Sequence, residues 1–402
     1  MSFPTTDCAD ADVSAAAVDS AQPLNAWLAV FAVAISAIVF CTTEFLPIGL
    51  LRYISAGMNV SEGTAGLLVT APGLLAALAA PLLAIGVGRI DRRYVLLSLA
   101  ALLVVANLLS MLASSFAVLL IGRVLFGIGL GGFWAVGAGI GSRLVQEGSV
   151  ARATSIIFAG VSIGMLLGGS AGALIGEMFG VTGAFALALG LSVLSFVAQA
   201  LWLPKLPVER AMPARDLLGI VLTGNGRVGL LVMFLALCGQ FAAYTYVTPF
   251  LAQQAHFDAA SISAILFAYT LVGLGGNFIA GGLQRFNVKT LLAATIGLLF
   301  GALGMLAWWA TSPMWVLLLM AVWGLAYGAL PLVLQIWMAK AAPDAQEGGM
   351  ALFVANFQIS IALGSLGGGL LVDGLGVSQA LGYCVVAGIA ALLVLAVNTR
   401  KT

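Results

Sequence analysis

The sequence predicts an all-α integral membrane protein in which twelve transmembrane helices form two parallel, pseudo-symmetric six-helix bundles. Three observations predict it. Of 402 residues, 62% are hydrophobic and only 8% charged, whereas a water-facing domain carries roughly a quarter charged residues. The apolar residues come in continuous runs of roughly 20, the length at which a helix rising 1.5 Å per residue crosses a ~30 Å hydrocarbon core. These runs do not alternate, so a barrel of ~10-residue strands is disfavoured. Third, the 16 Lys and Arg residues fall almost entirely in every second gap between runs.

The chain opens on residues 1–24, with Asp7, Asp10, Asp12 and Asp19 and no Lys or Arg. A cleaved signal peptide would need a basic start and a shorter apolar core, so this segment reads as a disordered cytoplasmic tail. Six candidate spans follow, at roughly 27–51, 64–85, 94–114, 116–141, 153–176 and 183–203, and make an N-terminal bundle over 25–203. The longest polar connection, 204–227, reads as a cytoplasmic linker. Six more spans, roughly 228–251, 260–282, 290–311, 314–338, 350–372 and 379–397, make a C-terminal bundle and short tail over 228–402.

Basic residues orient these spans. With both termini in the cytoplasm, the cytoplasmic segments hold Arg89, Arg92, Arg93, Arg143, Arg152, Lys205, Arg210, Arg215, Arg227, Arg285, Lys289, Lys340, Arg400 and Lys401. Only Arg52 on the far side and Arg123 inside a span fall elsewhere, as the positive-inside rule requires. One missed helix would scramble this partition, so an even number of spans is favoured.

The halves also repeat. Gly86, Arg89 and Arg93 recur as Gly282, Arg285 and Lys289 at an offset of 196. Gln146-Glu147-Gly148 recurs as Gln346-Glu347-Gly348, and Gly164, Gly168 and Gly169 recur as Gly364, Gly368 and Gly369, all at an offset of 200. Both copies lie on one side of the membrane, the arrangement of halves related by an axis along the membrane normal, which can rock about a central cavity. A channel would usually be a symmetric oligomer or show a selectivity loop, and neither is suggested.

Charge inside the membrane is costly and marks function or structural pairing. Glu44 and Arg123 both sit roughly 10–12 Å below the outer surface by helical rise. For Glu44 one reading is a cavity-lining carboxylate that binds and releases a proton, since desolvation favours its neutral form and hydration or a nearby cation its charged form. The other is a structural carboxylate tied to Arg123 or to the hydroxyls of Thr42 and Thr43. Arg123 either tunes that proton or clamps helices. Its planar donor fork makes lysine a poor substitute in both cases.

Further polar and aromatic groups inside spans are candidates for a substrate cavity: Asn107 and Trp134 in the first half, then Gln240, Tyr244, Tyr246 and Asn277, and finally Trp323, Tyr327, Gln335, Asn356 and Gln358. Such groups suit hydrogen-bonding and stacking to a solute, and equally serve as glue between helices. Gly160, Gly164 and Gly168, with Gly169, form a ladder at spacing four that predicts close helix packing and a possible bending point for gating. The loop Arg89-Ile90-Asp91-Arg92-Arg93 sets topology and is a candidate latch, with Asp91 paired to an arginine or set at a helix start. His256 beside Asp258 reads as a solvated loop residue. Cys8, Cys41, Cys238 and Cys384 form no metal or disulfide motif.

Thr42-Thr43-Glu44-Phe45-Leu46-Pro47-Ile48-Gly49 and the Arg123-centred stretch Leu119–Gly129 resemble the major facilitator superfamily, in its drug:proton antiporter-like branch with the sugar- and purine-efflux relatives. The resemblance covers essentially the whole chain after the tail. It implies the major facilitator fold and secondary active export of a small drug-, sugar- or nucleoside-like solute by proton antiport. It also links Arg123 to proton coupling. Two motifs depart from the family pattern: in the loop, Ala84 and Gly88 stand where the first glycine and the aspartate are expected, with Asp91 at the later glycine position, and Met165 replaces the proline of the span-5 motif. With an N–H at 165 the helix ladder continues there, so a kink is less assured.

The expected partners are lipid, a small-molecule substrate and protons, with the chain working as a monomer in a bacterial inner membrane. No cofactor, enzyme activity or nucleic-acid partner is expected from a formal charge of +1 and no Walker A sequence. The alternatives left open are a proton-linked importer or facilitator for sugars or nucleosides, and a non-transporting receptor or scaffold.

Overall fold

In the computed structural model, the residues described are 24–137, 140–207, 224–283, 286–309, 312–341 and 346–397. The acidic N-terminal segment 1–23, Arg210 and Arg215 of the linker, Arg285, and Arg400 with Lys401 lie outside them. The helices are α1 (Leu24–Met58), α2 (Glu62–Ala65), α3 (Leu67–Gly86), α4 (Arg92–Met111), α5 (Phe116–Val136), α6 (Gly141–Leu144) and α7 (Val150–Trp202). The second half holds α8 (Gly224–Tyr244), α9 (Val247–Gln253), α10 (Ala259–Gly282), α11 (Val288–Trp309), α12 (Pro313–Ala341), α13 (Gln346–Leu375) and α14 (Val377–Val397).

Eleven of these stretches are long and apolar enough to cross a membrane, and α7 supplies two crossings. Its 53 residues would rise about 80 Å as one rod, far more than a bilayer core. The chain turns back at Gly180, whose φ of 67° and ψ of −173° leave the helical region. The contacts on α1 prove the hairpin. Gly160, Gly164 and Gly168 pack on α1 at Ala34, Ile38 and Thr42, running the same way as α1. Beyond the turn, Ser195 Oγ meets Ser36 Oγ at 2.8 Å and Gln199 Nε2 donates to Ser36 Oγ at 2.6 Å, at the level where the hairpin began. The chain therefore makes twelve crossings, and the helix runs unbroken through Met165, as the absence of proline there allows.

The two halves repeat in contacts as well as in letters. Gly164 lies on the backbone of Ile38 and Gly364 on that of Cys238; Gly168 lies on Thr42 and Gly368 on Ala242. Each pair is displaced by 200 on both partners. Small residues at these crossings let backbones approach, which is how helices gain packing where lipid offers no hydrophobic drive. Each bundle thus has a glycine seam, α1 on the first arm of α7 and α8 on α13.

The bundles meet in the half of the molecule opposite the Arg89–Arg93 loop. Among the described residues, the hydrogen bonds between them all fall there. Ser61 Oγ and the Gly63 N–H donate to Asp373 at 2.7 and 2.9 Å. Gln253 Nε2 donates to Glu62 at 2.7 Å, Thr248 Oγ1 to the Ile48 carbonyl at 2.9 Å, and Ser263 Oγ to the Ser170 carbonyl at 2.7 Å. At the basic end, Asp91 caps the start of α4, accepting from the Arg93 N–H at 2.9 Å and from the Leu206 N–H at 2.8 Å. The Arg92 N–H answers to the Leu206 carbonyl, Arg93 donates to the Ala200 carbonyl, and Arg143 to that of Pro207. Asp91 is thus set at a helix start, one of the two placements expected of it, and fastens the chain leaving α7. Arg89 is exposed.

Candidate functional site

Glu44 and Arg123 are the only charged side chains buried among the described residues, at 6% and 1% exposure. They do share a level, because Arg123 Nη1 donates to the Thr43 carbonyl at 2.8 Å. Of the two readings of Glu44, the one that ties its carboxylate to Arg123 or to the neighbouring hydroxyls is not the arrangement seen. Arg123 addresses backbone, with Nη2 3.3 Å from the Glu44 carbonyl and Nε 2.8 Å from the Leu68 carbonyl, while its guanidinium lies 4.4 Å above the Phe126 ring. Nor do Thr42 and Thr43 hold the carboxylate: Thr42 donates to the Gly164 carbonyl, and Thr43 Oγ1 accepts from Asn107. Glu44 Oε1 instead accepts from Gln358 Nε2 at 3.1 Å, across the bundle interface.

Facing α1 from the second half is a layer of aromatic and amide groups. Tyr244 stacks on Tyr269 at 5.2 Å and on Tyr327 at 6.3 Å, and Trp323 stands edge-on to Tyr269 at 5.3 Å. Gln240 orders them, donating to Tyr269 Oη at 3.2 Å and accepting from Trp323 Nε1 at 2.7 Å. Phe241 joins the layer to Phe45, the neighbour of Glu44, with ring centroids 6.3 Å apart. Two buried polar atoms in this region, Tyr327 Oη and Gln358 Oε1, have no hydrogen-bond partner. A buried hydroxyl or amide oxygen left without a partner is costly, so such atoms mark places where a solute or water would bind.

The remaining cavity candidates divide. Asn107 reaches Ser192 Oγ at 2.7 Å and Asn356 the Leu230 carbonyl at 2.9 Å, so both tie helices of one bundle together. Tyr246 donates to the Ser365 carbonyl at 2.9 Å within the closed end. Trp134 has a buried, unpartnered Nε1 and stands edge-on to Phe133, remote from the aromatic layer in the contacts it makes. Asn277 is exposed, Gln335 half-buried, and neither joins the layer. Gly169 faces the other bundle, with Tyr244 and Leu266 nearest. Tyr269 escaped the sequence reading. A tyrosine in an apolar run gives no signal of its own, and what singles it out is the hydrogen bond from Gln240 and its stacking on Tyr244, both set by the fold.

Two pseudo-symmetric bundles that meet over a buried carboxylate and a polar-aromatic layer define a secondary transporter, a carrier that presents one site by rocking its halves. The Major Facilitator Superfamily model matches residues 33–225 and 229–402, and the chain belongs to that family of solute transporters. It is 30% identical over 377 residues to the purine ribonucleoside efflux pump NepI of Salmonella enteritidis PT4, covering 94% of this chain and 95% of the relative. The NepI of Escherichia coli O6:K15:H31 is 30% identical over 355 residues, 88% of this chain and 90% of that one. Among solved structures, an inward-facing, unoccupied bacterial homologue of the human lysosomal transporter Spinster superposes with a TM-score of 0.75 at 16% identity, over 94% of this chain and 98% of that one. A mutant of the nucleoside transporter NupG gives 0.75 at 13% identity, over 92% and 99%.

Proposed function

We propose that this protein exports a purine-nucleoside-like solute in exchange for protons, with Glu44 as the proton-binding group. The observation that carries the reading is the placement of Glu44, whose carboxylate is hydrogen-bonded across the interface to Gln358 and borders the layer of Tyr244, Tyr269, Trp323 and Tyr327. A carboxylate at a moving interface exchanges its solvent and its donor as the bundles rock, and so couples protonation to the direction the site faces. Flat tyrosine faces suit a nucleobase, and Tyr327 Oη with Gln358 Oε1 offer unfilled hydrogen-bonding positions. The 30% identity to purine ribonucleoside efflux pumps supports the same solute class.

In this proposal the basic end is cytoplasmic, both termini lie in the cytoplasm, and the chain sits in a bacterial inner membrane and works as a monomer. Residues 25–203 and 228–402 are the rocking units, joined by 204–227. The outer end is the closed one here, so solute enters from the cytoplasm. The Arg89–Arg93 loop and the glycine seam serve the rocking motion, the first by fixing the linker through Asp91 and the second as a packed rail.

The test uses purified protein in liposomes loaded with labelled purine ribonucleoside, with a pH gradient imposed in either direction. The parent is expected to move nucleoside against the proton flow, and Glu44→Gln to lose its dependence on the gradient, since an amide has no carboxylate to bind and release the proton. Unchanged gradient dependence in Glu44→Gln would exclude Glu44 as the coupling group.

A further inference from the structure

Arg123 is the larger of the two buried charged side chains among the described residues, and each of its three nitrogens donates to a backbone carbonyl: Leu68, Thr43 and Glu44. A carbonyl inside a helix ordinarily accepts from the N–H four residues later. Four residues after Thr43 stands Pro47, inside α1, and four residues after Leu68 stands Pro72, inside α3. Proline has no N–H, so both carbonyls lose their helical donor. In a bilayer core no water replaces it, and freed backbone groups must be satisfied by neighbouring protein. The two shortest bonds of Arg123, both 2.8 Å, go to these two oxygens.

Packing holds the guanidinium in register with both prolines. Gly127 lies against the backbone of Pro72 and Gly131 against that of Ala76, so α5 runs alongside α3 with Arg123 at Leu68 one turn earlier. All four residues of the clamp lie in the first bundle. The contact therefore travels with that bundle, whereas the bond between Glu44 and Gln358 crosses the interface.

We propose that Arg123 is a positioning residue that supplies the two hydrogen-bond donors Pro47 and Pro72 lack, fixing the backbone that carries Glu44 without pairing its carboxylate. Lysine, a compact ammonium on a flexible stem, cannot span both carbonyls as the planar fork does. The inference uses the proposed role of Glu44 only for its consequence in transport, and its first test does not involve transport.

The experiment is a mutant cycle on purified protein. Arg123→Met is made in the parent and in a Pro47→Ala, Pro72→Ala background, where alanine N–H groups restore the helical donors. In the parent, Arg123→Met is expected to lower the melting temperature by about 5 °C or more, or to prevent folding, because two buried carbonyls lose their partners. In the alanine background the same change is expected to be neutral or to raise it. An equal loss in both backgrounds, or no loss in the parent, overturns the proposal. The second readout is the pH profile of Glu44 labelling by a hydrophobic carbodiimide, followed by mass spectrometry. A shift in the parent that falls by more than half in the alanine background supports positioning through the backbone. An equal shift in both shows that Arg123 acts on Glu44 through its charge and overturns it. If Glu44→Gln leaves transport unchanged, the coupling proposal fails while the melting cycle still decides this one.

Discussion

At the scale of single residues, burial and partner decide role more than residue type does. Asn107, Asn356 and Gln358 are all amides inside spans, yet two tie helices of one bundle and one reaches a carboxylate on the other. That difference depends on which helix each amide meets, and a single sequence does not show it. That Glu44 and Arg123 share a level was legible, because charge in an apolar run stands out and helical rise relates their heights. Their actual hydrogen-bond partners were not, since they lie 55 to 314 positions away along the chain and, for Arg123, include backbone freed by proline. Asp91 shows a simpler case outside the membrane. Burial disfavours its charge, but the Leu206 and Arg93 N–H groups and the nearby Lys205 and Arg143 outweigh that and hold its carboxyl below the usual range. A depressed folded value means the stabilisation is complete above the ordinary aspartate pKa and is lost as pH falls through the lower folded one. Asp91→Ala is therefore expected to cost about 1 kcal/mol at neutral pH, as lost N-caps do. The gap to the parent should close below about pH 4, as thermal melting across pH would show.

At the scale of elements, twelve apolar runs translated directly into twelve crossings because length and hydropathy are local properties. What stayed hidden is how runs join. The fifth and sixth spans follow each other directly, the helix breaking and the chain turning back at Gly180, and the seventh breaks between Tyr244 and Val247, ahead of Pro249. The Gly180 turn has φ +67° and a ψ near 180°, a region essentially closed to residues with a Cβ. A Cβ added there would meet nothing within 4 Å, so any penalty is conformational and not steric crowding by neighbours. Gly180→Ala is expected to destabilise by about 1–3 kcal/mol, read as a lower melting temperature of the purified protein. A control change at Gly190, where a Cβ also meets nothing but the backbone is helical, should leave stability unchanged or raise it by up to about 1 kcal/mol, because alanine favours a helix over glycine.

At the scale of the whole molecule, the repeat offsets foretold two equivalent bundles, and Gly164 and Gly168 with their counterparts Gly364 and Gly368 meet partners displaced by the same 200 positions. The contacts between bundles are of another kind. They include an apolar ring contact, Phe45 on Phe241, the bond from Gln358 to Glu44, and, at the end opposite the basic loop, Ser61 and Gly63 on Asp373. A disulfide between Ser61→Cys and Asp373→Cys is expected to hold that end shut and stop nucleoside transport in liposomes, with activity returning on reduction. Transport that continues through the oxidised protein would show that this end need not open.

The aromatic layer comes from the second half and the buried charge from the first. On the proposed reading, one half handles the energy source and the other the cargo. Altering Tyr269 or Tyr327 would then redraw what the carrier accepts while leaving its engine intact, so new cargo preferences can arise from this scaffold without reinventing how it is driven.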